Sequence, residues 1–218
     1  MDDVVLISDP RVAGVTVEEC GEVLSDVRGR LRVDDRLADP AGAFALLREG
    51  LVTRLEAAER SLPAGYHVVV VEGYRPAALQ RMYFTDYLND LRAKFPEKSE
   101  DELFVAASRY VSPIEVAPHT AGAAVDLTLC DDLGVEYDMG TQVNATPEES
   151  AGACYTAAPG ISGEARRNRK ILIAALEGAG LVNYPTEWWH WSYGDRYWAM
   201  VRHARAALYG PVESPLPA

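Results

Sequence analysis

The chain has 218 residues, 48% of them hydrophobic and 25% charged, with a formal net charge of -12. It is long enough for one large domain with a sizeable core, and its composition is ordinary for a globular protein. The acidic balance argues against a nucleic-acid partner, and no apolar run approaches the ~20 residues of a membrane span. The start, Met1-Asp2-Asp3, lacks the basic and apolar regions of a secretory signal, so the expected compartment is the cytoplasm. Three cysteines (Cys20, Cys130, Cys154) are an odd number without CxxC spacing. They are expected as buried or partly buried thiols, neither a disulfide framework nor a thiolate zinc site. The densest basic run, Arg166-Arg167-Asn168-Arg169-Lys170, reads as the solvated face of a helix.

Residues 1–40 are punctuated by Pro10, Gly14, Gly21, Gly29 and Pro40 and are expected as an irregular arm or short strands packed on the main body. From Gly42 to Leu62, Phe44, Leu47, Leu51, Leu55 and Ala58 recur at three- and four-residue spacing, which predicts one amphipathic helix. Pro63-Ala64-Gly65 ends it. The run His67-Val68-Val69-Val70-Val71-Glu72 is β-branched and unbroken, the pattern of a strand buried on both faces. Pro76 opens a helix with Leu79, Met82, Tyr83 and Leu91 on its buried side. Ser99 and Glu102 have capping-box spacing, which predicts a helix from about 100 to 110. Residues 123–129 read as a central strand, with Val135 and Tyr137 as the returning arm of a hairpin. Thr141 to Gly160 is a long polar segment without periodicity, a length typical of functional loops. Ser162 caps a helix to about Gly178 or Gly180, with Ile171, Ala174, Ala175 and Leu176 inward. The aromatic stretch Glu187 to Tyr193 reads as a strand. The composite is α+β: a small central, mostly antiparallel sheet with helices packed on it. Residues 1–218 form a single domain on this reading.

Chemistry concentrates at two distant stretches. Asp126 interrupts an apolar strand, and a buried carboxylate there requires a metal cation, an arginine or backbone donors. His119 lies seven residues earlier, an odd spacing that in a straight strand points it to the opposite face. A turn at Gly122 would fold it back. Glu187 and His190 are three apart; they share a side on a helix but not on a regular strand. Their spacing leaves open whether His190 is a ligand or a hydrogen-bonded core histidine among Trp188, Trp189 and Trp191. Arg75 follows a buried strand and precedes a proline, which sets it at a strand end. There it either stabilises an oxyanion or pairs with Glu72 or Asp126. His67 and His203 have no acidic or His partner at ligand spacing and read as structural.

Glu72-Gly73-Tyr74-Arg75-Pro76, His119-x-x-Gly122-x-Ala124-x-Asp126-Leu127-Thr128-Leu129, Met139-Gly140 and Glu187-Trp188-Trp189-His190 occur in that order. Together they resemble the D-alanyl-D-alanine dipeptidases, zinc enzymes of the D-Ala-D-Ala carboxypeptidase and endolysin superfamily with one branch linked to vancomycin resistance. The resemblance covers about residues 66–210. It implies one Zn2+ per chain on His119, Asp126 and His190, with Glu187 as catalytic base and Arg75 stabilising the transition state. It also implies a small α+β fold with the zinc site on the sheet. Three positions depart from the family pattern. Ala117 stands where a serine is usual. Thr141-Gln142-Val143-Asn144 lacks the usual acid that helps bind the substrate's amino group, with Glu148 or Glu149 as the stand-in nearby in sequence. Asp26-Val27-Arg28 is followed by Gly29, where the family has Tyr.

The resemblance implies zinc-dependent hydrolysis of a dipeptide, D-alanyl-D-alanine first, with Asn144 and Trp189 as substrate contacts. A small dipeptide is then the partner, with no nucleic acid, no membrane and no oligomeric state fixed by the pattern. A zinc amidase acting on another cell-wall fragment or a biosynthetic peptide is the alternative that Ala117 and Asn144 favour. A non-catalytic metal-stabilised binding domain is a further alternative, disfavoured because such a site needs neither Glu187 nor Arg75.

Overall fold

The structure, a computed structural model, describes residues 4–212. The acidic start Met1–Asp3 lies outside the described residues. In chain order the elements are α1 (Pro10–Ala13), β1 (Leu24–Asp26), β2 (Arg32–Val33), β3 (Leu46–Arg48), α2 (Glu49–Ser61), β4 (His67–Glu72), α3 (Ala77–Lys94) and α4 (Glu100–Ala107). After these come β5 (Ala124–Cys130), α5 (Gly163–Gly178), β6 (Val182–Asn183), β7 (His190–Ser192) and α6 (Arg196–Val201). The main sheet has five strands in the order β2-β4-β5-β7-β6. Only β2 and β4 run parallel; the other pairs are antiparallel. A separate ribbon pairs β1 with β3. This is the expected α+β architecture with a mostly antiparallel central sheet.

The two faces of β5 separate core from chemistry. Val125, Leu127 and Leu129 pack into the main core with Leu51 and Leu55 of α2 and Leu172 and Leu176 of α5. Fully buried leucines of this kind contribute roughly 1.5–3 kcal/mol each. Asp126, between Val125 and Leu127, faces the other way because successive strand residues alternate. Helices α3 and α4 pack on each other through a cluster of their own, formed by Tyr87, Leu91, Leu103, Ala107 and Val111.

Several elements differ from the sequence expectation. The helix expected from Gly42 begins at Glu49. Residues 43–45 form a 3-10 turn, and Leu46–Arg48 pairs with Leu24–Asp26 instead. Phe44 and Leu47 are still buried, so the apolar pattern is right and its period is not. On α3, Met82 is exposed, and the buried positions are Gln80, Tyr87 and Leu91. On α5, Ala174 is exposed and Leu172 takes the inward place. The expected hairpin arm at Val135 and Tyr137 reduces to a single bridge between Cys130 and Glu136. The strand expected from Glu187 starts only at His190. Helix α4 does carry the full capping box of Ser99 and Glu102. Cys130 and Cys154 are buried, but Cys20 is exposed. Arg32 Nη1 lies 3.4 Å from the Cys130 sulfur. His67 has acidic partners that its local sequence hides: Glu59 at 2.7 Å on Nδ1 and Asp132 at 2.9 Å on Nε2.

The basic run on α5 is only partly a solvated face. Arg169 is 2% exposed and donates to the carbonyls of Met139 (2.7 Å), Tyr155 (2.6 Å) and Ala153 (2.8 Å). It thereby gathers the long irregular segment between β5 and α5 around one side chain. Burial lowers its pKa to about 10.

Gly122 adopts φ +64, and a Cβ there would meet Leu24 Cδ2 at 2.3 Å. Gly134 has φ +86 with nothing within 4 Å. Gly134→Ala should therefore cost only the left-handed strain, about 1–2 kcal/mol. Gly122→Ala should cost a further 1–3 kcal/mol, roughly, from overpacking. Urea denaturation of both variants measures the difference; equal losses would mean that the Leu24 contact yields without cost.

Candidate metal centre and active site

Three strands bring a row of polar side chains together. In the sheet register Glu72 of β4 lies opposite Asp126 of β5, and Asp126 lies opposite His190 of β7. The first of these pairings depends on a shift between Val70 and Glu72. In a ladder without a bulge Val71 would oppose Asp126; here Val71 is the extra residue and Glu72 takes that place. His119 arrives from outside the sheet, on a 3-10 turn over Pro118–Ala121 that Gly122 terminates in the left-handed conformation. That turn removes the difficulty of the odd seven-residue spacing.

Glu187 and His190 converge for a related reason. The Glu187 N–H donates to the Tyr184 carbonyl (2.9 Å) and the His190 N–H to the Glu187 carbonyl (3.3 Å). Two successive three-residue turns put both side chains on one side, as a helix would. Glu187 Oε2 lies 3.7 Å from His190 Nδ1.

His119 Nε2, Asp126 Oδ1 and His190 Nδ1 form a compact triangle. Their separations are 3.2 Å between the imidazoles, 3.3 Å from His119 to Asp126 and 3.0 Å from His190 to Asp126. Tetrahedral zinc with bonds near 2.0–2.1 Å sets its ligand atoms about 3.3 Å apart. The tautomer of His119 supports the same reading. Its Nδ1 lies 2.7 Å from the Gly73 carbonyl, which can only accept, so Nδ1 carries the proton and donates. Nε2 then faces the carboxylate oxygen of Asp126 at 3.3 Å, an arrangement that requires a cation between them, a proton or a metal ion. These three residues are a group able to hold a metal ion, and all three are buried. The donor set fits zinc, which takes N and O ligands in hydrolytic sites. Gly73 packs tightly against the β3 segment: a Cβ there would meet the Leu46 carbonyl at 2.6 Å.

The electrostatics separate the two acids. Burial would raise the Asp126 carboxyl, but the charges and hydrogen bonds of His119 and His190 outweigh it and hold the group below the usual carboxylate range. Burial pushes the Glu187 carboxyl well above its usual range; the Asp126 charge adds to this and Arg75 opposes it. Burial also lowers the His190 imidazole, against the pull of Asp126. Glu187 Oε1 and His190 Nε2 are buried without a hydrogen-bond partner. An unpartnered carboxylate oxygen beside a ligand triangle is costly as structure and useful as a proton acceptor.

Arg75 makes the pairing that its sequence position suggests, and it also lines the cavity described below. Its Nε donates to Glu72 Oε1 at 2.8 Å, its Nη2 also binds Glu72, and Nη2 lies 4.0 Å from Asp126 Oδ2. A cavity of about 320 Å³ opens on this group, lined by Arg75, His119, Asp126, Glu187 and His190 among others. Asn144 and Ala117 also line it. Trp189 does not: it is 1% exposed and packs in the main core, so the expectation of a substrate contact there is corrected. Glu148 and Glu149 do not line the cavity either; Glu148 instead accepts from the Tyr87 hydroxyl at 2.8 Å. Cys130 lies four residues along β5 from Asp126, about 13 Å, and takes no part. Sequence reasoning missed Gln80 and Tyr110, which line the same cavity, and gave Tyr83 only a packing role although it lines the cavity too. No local pattern marks Gln80, because the buried side of α3 that carries it is not the one its apolar residues suggest.

Comparison with known proteins shows the family. A D-alanyl-D-alanine dipeptidase of Synechocystis sp. is 30% identical over 237 residues, covering 91% of this chain and 95% of the relative. One from Enterococcus faecium is 30% identical over 145 residues, covering 65% and 69%. Among solved structures, a mutant of the vancomycin-resistance D,D-pentapeptidase VanY in complex with Zn(II) aligns over 94% of this chain and 93% of its own, at 18% identity and a TM-score of 0.38. The family profile described as D-ala-D-ala dipeptidase matches residues 21–206, and the chain belongs to that family of zinc metallopeptidases.

Proposed function

We propose that this chain hydrolyses D-alanyl-D-alanine, with His119, Asp126 and His190 holding one zinc ion, Glu187 as general base and Arg75 facing the oxyanion. The observation that carries the assignment of roles is Glu187 Oε1, buried and unpartnered in the cavity beside the three candidate ligands. The substrate is proposed from the dipeptidases to which the chain is similar.

When bound, zinc supplies a Lewis acid that makes water nucleophilic at neutral pH and polarises the scissile carbonyl. Glu187 accepts the proton of the attacking water and returns it to the leaving amine, so no net proton is gained or lost by the side chain. Arg75 carries a fixed positive charge to the cavity, where negative charge develops on the carbonyl oxygen. Glu72 holds the guanidinium in place through two contacts. Asn144 is read as a substrate contact.

A second reading, a related zinc amidase acting on a different cell-wall fragment or small peptide, draws on two cavity positions. Ala117 and Asn144 line the cavity where the family pattern has a serine and an acid. The exposed carboxylates that line it instead are Asp86 and Asp90 of α3. The same proposal takes residues 1–218 as one peptidase domain acting in the cytoplasm on a small molecule, without nucleic-acid or membrane partners. No helix among the described residues is long and apolar enough to cross a membrane.

Glu187→Ala should retain zinc and lose turnover by roughly 10²–10⁴-fold, the usual contribution of a positioned base. Stopped assays of amine release with parallel metal analysis check it; a variant as active as the parent removes Glu187 from the mechanism. His190→Ala should fold but bind less than one zinc per chain, as read by elemental analysis after dialysis. Full occupancy would take His190 out of the ligand set. Amine release from D-Ala-D-Ala, run beside L-Ala-L-Ala and the Glu187→Ala variant, separates the two readings of substrate. Hydrolysis of the D,D dipeptide that is lost in the variant supports the first reading. A zinc-loaded protein inert toward it supports the second.

A further inference from the structure

Arg75 has five N–H donors in a fixed plane. Glu72 takes one from Nε and one from Nη2. A third partner completes the hold: Nη1 donates to Gln80 Oε1 at 2.9 Å. Gln80 is 1% exposed, and its own Nε2 donates to the Ser112 carbonyl at 2.7 Å. Three donors are thus committed, and two remain for a developing oxyanion.

The residue type is dictated by this geometry. One planar group must accept from a guanidinium on one side and donate to a carbonyl on the other. Glutamate would set a second acceptor against the Ser112 carbonyl. Asparagine is one methylene shorter. A hydrophobic residue would leave both a buried carbonyl and a buried N–H without partners. Gln80 lies at the fourth position of α3, and Ser112 lies beyond the end of α4. The glutamine therefore ties the guanidinium to both ends of the α3–α4 pair. Glu72 alone fixes the plane of the group from one edge; Gln80 fixes the opposite nitrogen.

We propose that Gln80 is a positioning residue for this reaction: it holds Arg75 at the angle that leaves two N–H donors facing the scissile carbonyl. The proposal rests on Arg75 acting at that carbonyl. Loss of Gln80 should then act on kcat and leave substrate binding nearly intact, because the interaction matters most where charge develops.

The test is a double-mutant cycle of Gln80→Met with Arg75→Ala, in zinc-loaded protein, with thermal unfolding and zinc content confirming the fold of each variant. In the parent background Gln80→Met should lower kcat roughly tenfold to hundredfold, the scale of a small misplacement of a catalytic group. KM should change by less than about threefold. In the Arg75→Ala background the same substitution should cost almost nothing. Affinity for a phosphinate mimic of the tetrahedral state, measured by calorimetry, should fall in parallel with kcat/KM. Gln80→Asn, which keeps both polar groups, serves if Gln80→Met does not fold, and should lose kcat in the same Arg75-dependent way. Equal losses in both backgrounds, or a change confined to KM, would overturn the positioning role. If Arg75→Ala keeps full turnover, the role of Arg75 fails first, an outcome distinct from a normal Arg75 effect with a silent Gln80 substitution.

Discussion

Asp126 is the constraint around which this molecule is arranged. A carboxylate in the middle of a fully buried strand is among the most expensive side chains a protein can hold. Two imidazoles, an arginine and a pair of neighbouring strands converge on it. Each partner is itself committed elsewhere: His119 to the Gly73 carbonyl, Arg75 to Glu72 and Gln80, His190 to the turn that begins at Glu187. The result is a rigid polar layer on one face of the sheet, with the aliphatic core of α2 and α5 on the other. Rigidity of this kind favours catalysis because the groups need no rearrangement when charge develops.

The fold and the site are legible in the sequence to different degrees, for physical reasons. Val68 to Val71 and the capping box at Ser99 carry their own local signals, and both elements lie where the sequence puts them. The segment from Gly42 to Arg48 does not carry such a signal. Its apolar spacing is compatible with a helix, and only the presence of Leu24–Asp26 as a partner turns part of it into a strand. Tertiary pairing overrides propensity there. Trp189 neighbours His190 in sequence, which suggests a place at the cavity, but the turn that aims Glu187 and His190 inward directs the indole into the core.

The candidate ligands are visible through a family pattern more than through spacing. Spacing alone cannot bring His119 over Asp126, because the answer lies in a 3-10 turn ended by a left-handed glycine. It cannot join Glu187 to His190 either, because that pair uses consecutive turns in place of a regular strand. Gln80 is invisible to both kinds of reading. Its partners are five residues back and thirty-two residues on, and a lone glutamine on a helix has no signature until its neighbours are known.

The bulge at Val71 has a consequence for how this chain tolerates change in length. In a regular antiparallel ladder one residue more or less shifts every side chain beyond it to the other face. Here the irregular residue sits at the last step before the polar layer, so its effect is confined to Glu72 and the residues after it. Deleting Val71 would leave the earlier valines of β4 paired as they are and set Glu72 opposite Asp126 in an unbroken ladder. Drawing Val71 into the register without a deletion would instead turn Glu72, and the Arg75 that it holds, away from Asp126. β4 thus carries one spare residue, and the bulge can absorb the loss of one residue where it could not absorb its own straightening.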